Sequence, residues 1–124
     1  MTQQPRRSAW LRGRRAEFLA AWWLRLKGYR ILARDLRTPV GEIDLIARRG
    51  RVLALVEVKA RPSLDEAAWA LTRFQRARIE QAALAVLQRN PAYGTLDMRF
   101  DVVLVAPGHR PRHIMDAWRP ESDV

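Results

Sequence analysis

The chain contains no cysteine, which excludes disulfide scaffolds, thiolate nucleophiles, thiolate zinc sites and iron–sulfur clusters. Its two histidines, His109 and His113, flank a turn with no acid at a metal-ligand spacing, so both read as solvated loop residues. No apolar run approaches the ~20 residues of a membrane-spanning helix. The basic N-terminus has no apolar core behind it, because Trp10-Leu11 is interrupted by Arg12, and no secretory leader is read. A soluble, cytoplasmic protein with no membrane partner is the expectation. Glycine-rich phosphate loops, Ser/His/Asp arrangements, zinc-finger spacings and internal repeats are also missing.

Lysine is almost missing too. Only Lys27 and Lys59 occur among 23 basic residues, against 13 acids, for a formal charge of +10. A field of that size attracts polyanions, nucleic acid before an anionic membrane. With 124 residues, 48% of them hydrophobic, the chain can build one core. A single domain over residues 1–118 is expected, with a loose tail at 119–124. In a chain that writes positive charge as arginine, each lysine asks for a reason.

Ala9 to Lys27 has helical spacing, with Ser8 as N-cap, Gly28 as stop and Leu19, Trp22, Trp23 and Leu26 as an apolar stripe. Glu17 lies on another face with Gly13, Ala20 and Leu24, a seam of small and apolar residues. Three strands follow: Tyr29–Leu36, Gly41–Arg48 and Arg51–Ala60, the last two joined by a hairpin-type link at Arg49-Gly50. The third is nearly continuous in Val, Leu and Ala, as a strand covered on both faces should be. Ser63 to Leu71 reads as loop or ragged helical turn. Thr72-x-x-Gln75 is a capping box opening a helix to about Arg89, with Ile79, Ala82, Ala83, Val86 and Leu87 inward. Strands at Asp97–Ala106 and Arg112–Trp118 complete the order α-β-β-β-α-β-β, an α/β domain with a mixed sheet flanked by helices.

The chemistry concentrates at Asp44 and Glu57-Val58-Lys59. Glu57 and Lys59, two apart in a strand, share a face. An Arg49-Gly50 turn sets Asp44 diagonal to Glu57; a Gly50-Arg51 turn sets it directly opposite. Either register brings the carboxylates within reach of one hard cation, Mg²⁺ or Mn²⁺, which keeps its remaining sites for water and phosphate. Lys59 beside them offers a compact point charge, which a bulky guanidinium cannot imitate. The same three residues also make a cross-strand salt bridge at a strand end, and the spacing does not choose between the two.

Taken together, Gly13-x-x-Ala16-Glu17-x-x-Ala20, Gly28-Tyr29-x-Ile31-Leu32-x-Arg34, Gly41-Glu42-Ile43-Asp44-Leu45-Ile46, Val56-Glu57-Val58-Lys59-x-Arg61 and Arg99-Phe100-Asp101-Val102-Val103 resemble the bacterial YraN family. The resemblance spans roughly Arg12 to Val105. It implies a restriction-endonuclease-like core of the Holliday-junction-resolvase-like group, whose signature is an acid, then Asp, then Glu-x-Lys. By that resemblance Glu17, Asp44, Glu57 and Lys59 are the catalytic set, with Asp44 and Glu57 as metal ligands. Ala60, Asp35 and Gln75 depart from the family's usual Thr, Asn and Lys.

Arg6, Arg7, Arg12, Arg14 and Arg15 form one basic cluster, and Arg73, Arg76 and Arg78 another at a helix start; Arg61 follows the lysine. Arg12, Arg14, Arg15, Arg61, Arg73, Arg76 and Arg78 are the expected nucleic-acid contacts, DNA in preference to RNA. Trp69 is the tryptophan most expected at the surface, while Trp22 and Trp23 read as core. Asp101 reads as a structural partner of Arg99. The expected function is Mg²⁺-dependent hydrolysis of DNA phosphodiesters, with structured or branched DNA as substrate. The alternative is a nucleic-acid-binding module without catalysis, including an RNA- or ribosome-associated factor. Likeness to resolvases, which act on two strands, suggests a homodimer.

Overall fold

The computed structural model describes residues 4–120, with side chains from residue 13 onward. Helix α1 (Gln4–Leu26) is followed by strands β1 (Arg30–Thr38), β2 (Gly41–Arg49) and β3 (Val52–Ala60). Helices α2 (Leu64–Ala68) and α3 (Arg73–Arg89) come next, then a 3₁₀ segment at Pro91–Thr95 and strands β4 (Asp97–Val105) and β5 (Arg112–Trp118). The five strands lie in sequence order. All neighbours are antiparallel except β3 and β4, which α3 connects as a parallel pair. This is the expected mixed sheet with flanking helices, consistent with a restriction-endonuclease-like core.

The central strand, β3, is covered on both faces. On one face Leu53 and Leu55 meet Ile79, Ala82, Ala83 and Val86 of α3. On the other, Ala54 and Val56 meet Ala20, Ala21 and Leu24 of α1. Each such fully buried Leu contributes about 1.5–3 kcal/mol relative to exposure. The capping box forms as read: Thr72 Oγ1 accepts from the Gln75 amide, and Gln75 Oε1 from the Thr72 amide, both at 3.1 Å. Gly41 is where α3 crosses β2; an added Cβ would stand 3.1 Å from the Arg78 carbonyl oxygen.

Two local expectations are corrected and one open segment is resolved. Helix α1 starts at Gln4, so Ser8 lies inside it rather than capping it; Pro5 in the first turn is compatible with that earlier start. Of the expected stripe, Leu19, Trp22 and Leu26 face outward, with Leu26 77% exposed, and Trp23 is half-buried. The seam of Ala16, Ala20 and Leu24 is what packs, because small residues let the helix approach the sheet closely. Phe18 and Arg25 instead pack on the exposed Trp22 ring, edge-on at 6.2 Å and cation-on-face at 5.5 Å. The ambiguous Ser63–Leu71 segment contains α2, capped by Ser63, whose Oγ accepts from the Glu66 amide at 3.1 Å. Trp69 is exposed, as read. Residues 121–124 of the expected tail lie outside the described residues.

Candidate active site

Strands β2 and β3 pair from Arg49↔Val52 to Leu45↔Val56, which fixes the turn at Gly50-Arg51. Gly50 adopts φ +60°, a conformation that costs glycine little. Continuing the same register sets Asp44 opposite Glu57, but there the ladder ends. Asp44 Oδ2 accepts a hydrogen bond from the Val58 amide at 2.8 Å. A side-chain oxygen thus takes the place of a ladder carbonyl, and a fork opens between the two strands.

Into that fork project Glu57 and Lys59, whose Nζ lies 3.2 Å from Glu57 Oε1, both side chains nearly buried. Glu17 approaches from the middle of α1, beside Gly13 and Ala16. Four elements of sequence reasoning therefore meet in one cleft of ≈ 590 Å³, lined by Glu17, Asp44, Glu57 and Lys59 with Arg61 among its walls.

The carboxyls are electrostatically uncomfortable. Burial, followed by the charge of Asp44, pushes Glu57 up to about 7. Burial also raises Asp44, against the lowering effect of the Val58 amide and Lys59. Glu17 rises to about 7, through burial first and then the charges of Asp44 and Asp35. Crowded, desolvated acids on a cleft wall are a recurrent mark of functional sites. Among the described residues no three acids or histidines converge closely enough to hold one ion. The carboxylates available to share a cation are therefore the pair Asp44 and Glu57, with Glu17 standing off.

The predicted arginines divide. Arg14 borders the Glu17 side of the site together with Arg34 and Asp35, and its charge partly offsets the rise of Glu17. Arg78 borders the Glu57 side with Gln75 and Glu42. Arg15 opens onto an adjoining groove. Arg73 and Arg76 sit on the first turn of α3 and do not line the cleft; Arg76 Nε is buried without a hydrogen-bond partner. The side chain of Arg12 lies outside the described residues.

Two features escaped sequence reading. Asp35, noticed only as a departure from family habit, sits in β1 with φ +50° and adds its charge to the acids around Glu17 and Asp44. The second is the extent of a buried polar chain on β4 and β5 beyond the Arg99–Asp101 pair, which forms as read. Arg99 grips Asp101 with two hydrogen bonds of 2.7 and 2.8 Å and donates to the Tyr29 hydroxyl at 2.6 Å. His113 Nε2 meets Asp101 Oδ2 at 2.7 Å, and the Asp116 amide donates to Oδ1 at 2.9 Å. Lys27 Nζ lies 2.5 Å from His113 Nδ1; an ammonium can only donate, so Nε2 carries the proton given to Asp101. The reading of His113 as a solvated loop residue is thus corrected: its side chain is 1% exposed, on a strand, because Asp101 needs a donor at that depth. His109 is exposed as expected. The signal available was the in-strand Arg99-x-Asp101 pair facing a histidine on the next hairpin strand.

Among the described residues no helix is long and apolar enough to cross a membrane. The profile of the uncharacterised protein family UPF0102 matches residues 16–105, a span holding Glu17, Asp44, Glu57 and Lys59. A UPF0102 protein of Parvibaculum lavamentivorans is 58% identical over 113 residues, covering 91% of this chain and 85% of its own. One from Paramagnetospirillum magneticum is 58% identical over 112 residues, 87% of each chain. One from a Bradyrhizobium strain is 54% identical over 118 residues, 94% of this chain and 84% of its own. The YraN resemblance read from the motifs is borne out: the chain belongs to the uncharacterised protein family UPF0102.

Proposed function

We propose that the chain is a divalent-metal-dependent endonuclease that hydrolyses phosphodiesters of DNA, structured or branched DNA in particular. The observation that carries this reading is the fork itself. It holds two desolvated carboxyls face to face, with a lysine at 3.2 Å from one of them, in a cleft open to a basic surface. The donor set suits Mg²⁺ or Mn²⁺: two hard carboxylates in a cleft without thiolate or imidazole, whose repulsion a dication would relieve. Bound by Asp44 and Glu57, such an ion supplies Lewis-acid polarisation of the scissile phosphate.

The chain's own residues do the rest. The Val58 amide fixes the orientation of the Asp44 carboxylate, so the donor pair is preorganised. Lys59, held by Glu57, presents an ammonium to a phosphate oxygen or to the attacking water and opposes the charge that develops at phosphorus. Glu17, with a pKa of about 7, is poised to take up a proton near neutral pH. Arg14, Arg61 and Arg78 flank the cleft as phosphate contacts that position a strand without reading its sequence.

The alternative is a nucleic-acid-binding module that does not cleave. The Lys59–Glu57 pair favours it to this extent: a purely structural salt bridge makes the same contact. Cleavage of end-labelled linear and branched DNA in Mg²⁺ separates the two. The expected result is cleavage by the wild type that EDTA stops, and that Asp44→Asn and Lys59→Met each reduce by roughly 10²-fold or more with binding kept. Mn²⁺ titration by calorimetry should show binding that Glu57→Ala removes. Binding in Mg²⁺ and EDTA alike without any cleavage would leave the module reading in place.

A further inference from the structure

Beside the carboxylate cleft lies a second groove of ≈ 510 Å³, and the two share Ala16, Ala60, Arg61 and Pro62. Its chemistry differs. Leu19, Val105, Pro107 and Pro111 give it an aliphatic floor, while Arg15, Arg61 and the exposed His109 stand around it. The residues that make it come from the middle of α1, from the C-terminal ends of β3 and β4, and from the segments that follow those two strands. Nothing in the site described above uses this floor.

We propose that this groove receives an unpaired nucleobase adjoining the phosphate in the carboxylate cleft. The inference rests on the nucleic-acid reading of the chain but not on catalysis. Two observations select this occupant, and its state follows from them. The grooves are continuous through Arg61 and Pro62, so a strand seated in one leads directly into the other. Arginines at the edge over an apolar floor match a nucleotide, whose phosphates are anionic and whose base has a flat, poorly hydrated face. A base stacked and paired inside a duplex offers only its edges, so a base whose face lies on this floor has left its helix. A pocket of this kind beside the reacting phosphate would direct the protein toward bulges, junctions and single-stranded branches.

The experiment compares two fluorescein-labelled duplexes of one sequence in EDTA: one fully paired, one with a single extrahelical fluorescent adenine analogue. Affinity is read by anisotropy and base docking by the analogue's emission. Removing roughly 40–80 Å² of base face from water at ~25 cal/mol per Å² is worth roughly five- to 30-fold in affinity, so the wild type should bind the bulged duplex at least about fivefold more tightly, with an emission change following the same isotherm. Leu19 is 43% exposed, so Leu19→Asp can place a charge on the floor without entering the core. It should bring the affinity ratio of the two duplexes close to one, and Leu19→Met should restore it. Equal affinities in the wild type, or a preference that survives Leu19→Asp in a variant with unchanged thermal unfolding, overturns the inference. Cleavage in Mg²⁺ without bulge preference removes this proposal and leaves the nuclease; bulge preference without cleavage does the reverse. Failure to bind either duplex removes both.

Discussion

Glu57→Gln should make the metal-free protein more stable above neutral pH, and leave it almost unchanged at pH 5. Glu57 has its pKa raised from 4.5 to about 7, by burial first and then by Asp44. Between those values the folded chain holds a proton that the unfolded chain has released. Folding takes up a proton there, so stability falls as pH rises from about 4.5 to about 7 and then levels off. At 1.36 kcal/mol per unit, the buried carboxylate costs about 3 kcal/mol once ionised, an order-of-magnitude figure justified by a side chain only 14% exposed. Glutamine keeps the shape and carries no charge, so the cost disappears in the variant. For a domain of this size that corresponds to a Tm increase on the order of 10 °C at pH 8. Thermal unfolding followed by circular dichroism at pH 5 and pH 8, in EDTA, measures it. Millimolar Mg²⁺ added at pH 8 should stabilise the wild type and have little effect on the variant. A variant less stable than wild type at pH 8, or a wild-type curve flat between pH 4.5 and 7, would show that Glu57 is a comfortable salt-bridge partner and remove the electrostatic argument for the site.

Asp101→Asn should destabilise by about 3–5 kcal/mol, read by urea unfolding, because it strips the buried partner from Arg99 and His113; a loss below ~1 kcal/mol would mean that the network is decorative. Thr72→Ala should cost ~1 kcal/mol of stability through loss of the α3 cap, checked by the same titration, and an unchanged midpoint would contradict the cap's assignment. Gly41→Ala should destabilise and shift amide resonances along β2 and the facing part of α3, since its Cβ would meet the Arg78 carbonyl oxygen at 3.1 Å; silent spectra would show that α3 yields without strain. Arg61→Gln should weaken DNA binding and lower the salt slope by about one, with an unchanged slope placing the strand away from Arg61.

What the sequence made legible follows from which interactions are local. Strand positions, the α3 capping box and the turn before β3 depend on residues a few places apart, and they appear close to where propensity and spacing put them. The choice between two hairpin registers needed the fold, since both keep Asp44, Glu57 and Lys59 on one side. The face of α1 was misread because large apolar residues usually mark a core, whereas contact with a flat sheet rewards small ones. His113 was misread for a different reason: its partner Asp101 lies 12 positions away, and only strand pairing reveals that the two meet. Asp35 belongs to the same class. Its charge reaches Asp44 through the neighbouring β1–β2 pairs, from Arg34↔Leu45 to Leu36↔Ile43, a contact that no linear motif encodes.

Among the described residues, the buried carboxylates at Asp101 and at Asp44 and Glu57 are shifted in opposite directions, and that separates scaffold from site. At Asp101, burial alone would raise the pKa, but donors from His113, Arg99 and the Asp116 amide outweigh it and hold the carboxyl below its usual range. The ion is fully served, and it fastens β4 and β5 to Tyr29 and Lys27. At Asp44 and Glu57 the balance reverses: one amide and one lysine leave both acids raised. A fold that satisfies one buried carboxylate with four hydrogen bonds has the means to satisfy another. That it instead opens a strand pair and sets two acids against each other at a cleft wall is a local violation of the rules the rest of the chain obeys, and such violations concentrate where a ligand completes the structure. Below about pH 7 a proton on Glu57 relieves that repulsion; above it a cation would do so while leaving Lys59 in place, which is why the raised pair, rather than the net charge of +10, carries the argument for chemistry.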